Sequence, residues 1–90
     1  MKYSIEEIWT RIKKLEGQKF ITKRGISFVY EISGNIFRPG HVNQNIPKTD
    51  FEKALELVPI DGPGVISDLV RGSAYIWAVL HDQRVSQGDW

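Results

Sequence analysis

Cysteine is absent from the chain, which excludes a disulfide scaffold, thiolate-bound zinc and a thiol nucleophile together. That fits a reducing compartment, and the cytoplasm is the expected location. Long apolar runs are missing too. The start Met1-Lys2-Tyr3-Ser4 leads straight into an amphipathic pattern, so neither a secretory signal nor a membrane span is expected. No repeat or low-complexity tract interrupts the chain, and its 90 residues fall below the usual domain size of about 100–150, so one domain over 1–90 is expected. Strong functional motifs are lacking as well. Gly62-Pro63-Gly64 and Arg38-Pro39-Gly40 have neither the Lys-Ser/Thr pair nor the strand-to-helix setting of a phosphate loop, and they read as turns. No Ser-His-Asp arrangement stands in local sequence. No metal set and no cofactor site is expected.

Charge is nearly balanced overall, at +1, but not along the chain. Residues 1–24 hold seven Lys/Arg against three Glu, a balance of +4, whereas residues 48–90 hold four basic against seven acidic residues, a balance of −3. Such asymmetry points weakly to a basic binding face.

Periodicity supplies the elements. Ser4-Ile5-Glu6-Glu7 has the form of a capping box, and Ile5, Ile8, Trp9, Ile12 and Leu15 recur at helical spacing, so a helix is expected over 5–16, stopped by Gly17. Between Gln18 and Gly40 the period becomes two. Lys23-Arg24-Gly25 reads as a three-residue hairpin loop pairing Phe20 with Phe28, and Gly34-Asn35 as a two-residue turn pairing Ser33 with Ile36, Ile32 with Phe37 and Glu31 with Arg38. Both registers put Phe20, Ile26, Phe28, Tyr30, Ile32 and Phe37 on one face, with Glu31 and Arg38 as a cross-strand ion pair on the other. Residues 39–48 read as a crossing loop. Thr49-Asp50-Phe51-Glu52 is a second capping box, opening a helix over about 50–58 that Pro59 ends. Val65 to Arg71 is expected to form a short helical turn with Ile66, Leu69 and Val70 inward. Gly72-Ser73 offers a stop and a fresh cap before the apolar helix Ala74 to Leu80, whose two apolar stripes both need cover. Residues 86–90 read as a frayed tail. The fold class is therefore α+β: a helix, a three-stranded antiparallel meander, then two to three helices packed on one sheet face.

Three functional readings follow. A non-enzymatic binding module leads, taking DNA or RNA through Arg11, Lys13 and Lys14 on the first helix and Lys19, Lys23 and Arg24 on the first hairpin. The competing explanation of these cations is a solvated surface that protects an edge strand. Second is association with itself or another protein through Ala74, Tyr75, Trp77 and Ala78, because Trp and Tyr anchor interfaces and a second apolar stripe is hard to hide in a small domain. Its counterpart is cover from the loop 39–48 and the segment around Ile66 and Leu69. Third is a small hydrolase or nuclease using His41 and His81, which requires the two to converge. Against it, His81 fits a helix C-terminus, where it favours the dipole, and His41 fits a solvated loop.

The order helix, three-strand meander, helix resembles the double-stranded-RNA-binding domain in topology. That family's marks are absent, since the hairpin loop has no Gly-Pro-x-His and the second helix opens with Asp50 and Glu52 rather than a lysine cluster. Residues 20–30, 46–54 and 75–84 together resemble a set of short bacterial proteins of uncharacterised function. That resemblance implies a small stand-alone or fused accessory domain and carries no functional residue over.

Overall fold

The computed structural model describes residues 3–40 and 44–90. Helix α1 spans Ile5–Lys14, its first turn capped by the Ser4 hydroxyl, which accepts from the Glu7 N–H at 3.4 Å. Ile8, Trp9 and Ile12 form its buried face. The helix stops before the expected Glu16, and Gly17, at φ +85°, turns the chain so that its N–H donates to the Tyr30 carbonyl.

Both hairpins adopt the registers read from their turns. Strands β1 (Phe20–Ile21) and β2 (Ser27–Phe28) pair Phe20 with Phe28 and Ile21 with Ser27. Strands β3 (Tyr30–Ser33) and β4 (Ile36–Pro39) pair Glu31 with Arg38, Ile32 with Phe37 and Ser33 with Ile36. Glu31 and Arg38 face each other in the ladder, yet they are not among the ion pairs of the described residues. The expected meander is reorganised in one respect. At Val29 the chain changes partner, pairing back to β1 before it and forward to β4 after it. The result is a two-stranded ribbon and a three-stranded antiparallel sheet.

The third strand of that sheet comes from the segment expected to be loop. Strand β5 (Ile46–Pro47) pairs Phe37 with Ile46 and Ile36 with Pro47. Ile46 has an apolar side chain to bury and is fully buried here. Its strand lies on the sheet edge, where a proline is tolerated.

Helix α2 spans Lys48–Leu55, starting before the expected Asp50 and ending before Val58. Thr49 does not cap it: Pro47 holds the cap position without a side-chain bond. Asp50 is buried, and its carboxylate accepts the Arg71 N–H at 3.4 Å, so a side chain read as a local cap ties a distant segment instead. A 3-10 turn at Pro63–Val65 follows. In the turns after it Ile66 and Val70 are buried as expected, but Leu69 is 45% exposed. Helix α3 spans Ser73–His81 and starts from Gly72 at φ +63°. The Ile46 side chain packs so closely on Gly72 that a Cβ there would collide with it.

The stripe of Ile76, Val79 and Leu80 is covered within the monomer, and so are Trp77 and Ala78 of the other, while Ala74 is half-buried. Ile76, Trp77, Ala78, Val79 and Leu80 are all buried, and the Trp77 indole N–H donates to the Ile60 carbonyl at 2.9 Å. Helix α4 (Gln83–Ser86) is short. The tail beyond it is tied down rather than frayed: Trp90 donates to the Leu80 carbonyl at 2.7 Å, its ring meets Tyr3 edge-on, and the Tyr3 hydroxyl donates to the Asp89 carbonyl. A terminal Trp has too much apolar surface to leave in water when a partner ring is near.

One run of aromatic contacts threads these elements. It passes from Trp9 on α1 to Phe51 on α2, then through Phe37, Tyr30, Phe20 and Phe28 on the strands to Tyr75 on α3, with centroids 4.5–6.1 Å apart. Tyr30 is fully buried and its hydroxyl donates to the Ile12 carbonyl at 2.6 Å. Burial pushes the Tyr30 phenol well above its ordinary pKa. The protonated phenol is thus favoured by folding, and the associated stability is lost as pH climbs beyond the unfolded phenol value of about 10. Replacing Tyr30 by Phe is expected to lower the unfolding free energy at neutral pH by about 0.5–1.5 kcal/mol and to flatten the alkaline limb of the stability curve. Urea denaturation across a pH series reads both effects.

Candidate functional site

The first hairpin is closed by Thr22, whose N–H donates to the Ile26 carbonyl at 2.9 Å while its hydroxyl accepts the Ile26 N–H at 3.1 Å. Gly25, at φ +88°, completes the loop with its N–H on the Thr22 carbonyl. Thr22 is buried by this arrangement, and Lys23 and Arg24 are carried outward at the tip. Lys23 then bends across the Gly62 backbone, and its ammonium reaches the Asp61 carbonyl at 3.5 Å.

Opposite the hairpin lie the 63–67 turn and the start of α3, and the space between is a groove of ≈ 370 Å³. Thr22, Lys23, Arg24 and Ile26 line one wall, with Pro63, Gly64 and Ser67 and then Ser73, Ala74 and Tyr75 on the other side. Among the described residues no carboxylate lines it. Ile26, expected in the core, is 60% exposed here. Strand alternation sets the side on which a residue stands, and Ile26 does share the side of Phe28; the core ends at the Phe28–Tyr75 edge contact, one step short of Ile26.

The six cations read as one nucleic-acid face are divided by the fold. Lys23 and Arg24 belong to the groove. Arg11 and Lys14 line a separate cleft between α1 and α4, together with Glu7, Thr10, Leu15, Arg84 and Gln87. In that cleft the arginines are engaged. Arg11 pairs with Glu7 at 3.1 Å and Asp89 at 2.7 Å and donates to the Val85 and Ser86 carbonyls, so it holds the tail instead of facing a ligand. Lys13, Lys14 and Lys19 are exposed and take part in no ion pair among the described residues. Of the four α3 residues read as an interface, Trp77 and Ala78 are buried in the monomer and cannot present themselves to a partner, whereas Ala74 and Tyr75 are half-buried and line the groove.

His81 is exposed at the end of α3 with its ring stacked on Trp77 at 4.4 Å; His41 lies outside the described residues. Among the described residues no group of His, Asp and Glu is placed to hold a metal ion, and no helix is long and apolar enough to cross a membrane.

Sequence reading passed over Arg84. Its guanidinium binds both Asp82 oxygens at 2.9 Å, donates to the Lys19 carbonyl at 2.8 Å and lies 4.1 Å over the Phe20 ring. The Asp82-Gln83-Arg84 spacing was the available signal, since a capping Asp two residues before an Arg favours this fork. Arg84 thereby braces β1 at Phe20 and the residue before it. The hydrogen bond from Arg84 holds the Asp82 carboxyl below the usual carboxylate range. A depressed pKa contributes stability above the unfolded value of about 4 that is lost as pH falls through the folded one. Asp82→Asn, which keeps a competent helix cap, is expected to lower stability at neutral pH, with the gap to wild type closing in acid, as followed by urea denaturation at stepped pH. Comparison of the chain with protein-family models, with curated proteins and with solved structures gave no significant match.

Proposed function

We propose that the chain is a non-enzymatic binding module whose working face is the groove between the β1–β2 hairpin and the start of α3. One observation carries this reading: an acid-free groove in which two cations, Lys23 and Arg24, stand beside exposed Ile26 and half-buried Ala74 and Tyr75. Isolated cations or isolated apolar side chains are ordinary on a surface, but their convergence on a concave site is what a ligand with an anionic and an apolar part requires. A scaffold supports the site from behind, since Tyr75 leans on Phe28 and Arg84 on Phe20. The groove joins two of the six basic residues to two of the four α3 residues, so the two leading sequence readings meet at one place.

Nucleic acid remains a second reading, favoured by Lys13, Lys14, Lys19 and Arg24, which are exposed and outside every ion pair of the described residues. It calls for retardation of a DNA or RNA probe that weakens steeply with salt.

The groove reading is tested with anilinonaphthalene sulfonate, a small anion with an aromatic body, titrated into the isotopically labelled chain. Amide shifts are expected to cluster at 22–26, 63–67 and 73–75, and Lys23→Ala with Arg24→Ala is expected to weaken binding by about 3–10-fold, in line with loss of exposed charge contacts. Shifts scattered over the surface, or concentrated in the α1–α4 cleft, would rule the groove out.

A further inference from the structure

Resting on that reading of the groove, we infer that its partner is a polypeptide: an acidic segment that places one aliphatic or aromatic side chain between the hairpin and α3. Charge complementarity comes first. Among the described residues that line the groove, both charged groups are cationic and none is Asp or Glu. Lys23 has only the Asp61 carbonyl at 3.5 Å, and neither it nor Arg24 joins an ion pair among the described residues. Arg11 and Arg84, by contrast, are matched by carboxylates at 2.7–3.1 Å. Arg11 and Arg84 thus have carboxylate partners within the chain, whereas the two groove cations have none among the described residues.

The apolar half selects between anionic partners. Ile26 is 60% exposed at the groove wall, and an aliphatic side chain gains by meeting another apolar side chain at about 25 cal/mol per Å². Single-stranded nucleic acid binds instead by stacking bases on aromatic faces along a cationic track. Here the track is two side chains long, and Tyr75 is the only aromatic side chain among the described residues that line the groove. A volume of ≈ 370 Å³ also lies near the lower end of about 300–1,000 Å³ for sites that enclose small ligands, room for one large side chain and its flanking backbone.

Recognition through side chains follows from the hairpin's own bonding. Thr22 and Ile26 use their backbone groups on each other, with the Thr22 hydroxyl completing the set, so this wall offers side chains rather than a free strand edge. A segment with carboxylates on either side of its apolar residue would meet Lys23 and Arg24 while that residue rests on Ile26 and Tyr75.

A random peptide library displayed on phage, selected against the full chain, tests the inference. Selected sequences are expected to carry Asp or Glu around a single large apolar residue. A synthetic peptide of the selected sequence should bind at least about tenfold more weakly to Lys23→Glu with Arg24→Glu, and more weakly in high salt. Gly62→Ala, whose methyl displaces the Lys23 ammonium while the extended backbone at Gly62 accepts any residue, should weaken it by a smaller factor with stability unchanged. Circular dichroism confirms the fold of each variant. Selection without acidic residues, affinity indifferent to the double reversal, or displacement of the peptide by oligothymidylate of equal charge would overturn the polypeptide assignment. If anilinonaphthalene sulfonate still maps to the groove in those cases, the groove stands as a binding face and only its partner is wrong.

Discussion

Tyr30 stands where the helical and sheet halves of the molecule have to agree. Its ring stacks on Phe37 at 4.5 Å and meets Phe20 at 5.4 Å, and its hydroxyl bonds the end of α1 through the Ile12 carbonyl. From there the aromatic contacts run outward in both directions, to Trp9 and Phe51 on one side and to Phe28 and Tyr75 on the other. A small domain has little area to bury, so large flat side chains, each worth about 1.5–3 kcal/mol when buried, carry a large share of the hydrophobic stabilisation. Geometry is passed along with energy. Because the run ends at Tyr75, the groove inherits its position from the centre of the core.

The hairpins were legible because turn chemistry and strand alternation are local. Gly25 and Gly34, both at positive φ, announce where the chain reverses, and every ladder pair read from them is present. The features that escaped depend on distant partners. Nothing near Ile46 in sequence indicates an open edge of β4 to join, and nothing near Asp50 indicates the Arg71 amide that it caps. Trp90 looked like the end of a polar tail because Tyr3 and the Leu80 carbonyl, which hold it, are remote. The candidate site divides the same way. Lys23 and Arg24 were recognisable as a basic tip, and Tyr75 as a surface aromatic, but their convergence with Ile26 is a property of the tertiary packing.

Arginine and lysine are used differently in this chain. Arg11 and Arg84 each bind several acceptors at once, fastening the tail and α4 to the rest, as suits a planar multi-donor group. Exposed lysines keep a solvated ammonium. The basic face is smaller than the six cations suggest, since Arg11 is an internal brace with Glu7 and Asp89 beside it, and Lys14 lines one cleft while Lys23 and Arg24 line another.

The change of partner at Val29 reaches beyond topology. Hydrogen bonding joins β3, β4 and β5 into one ladder, while the β1–β2 ribbon is bound to the body through side chains such as Phe28 against Tyr75 and Arg84 over Phe20. The two hydrogen-bonded units therefore meet through packed side chains, with Phe20 and Phe28 of the ribbon buried in the common core. The groove lies along the ribbon's seam with α3. A ligand held there would touch the hairpin and α3 at once, and its occupancy would slow amide exchange across the hairpin even where the average structure does not move.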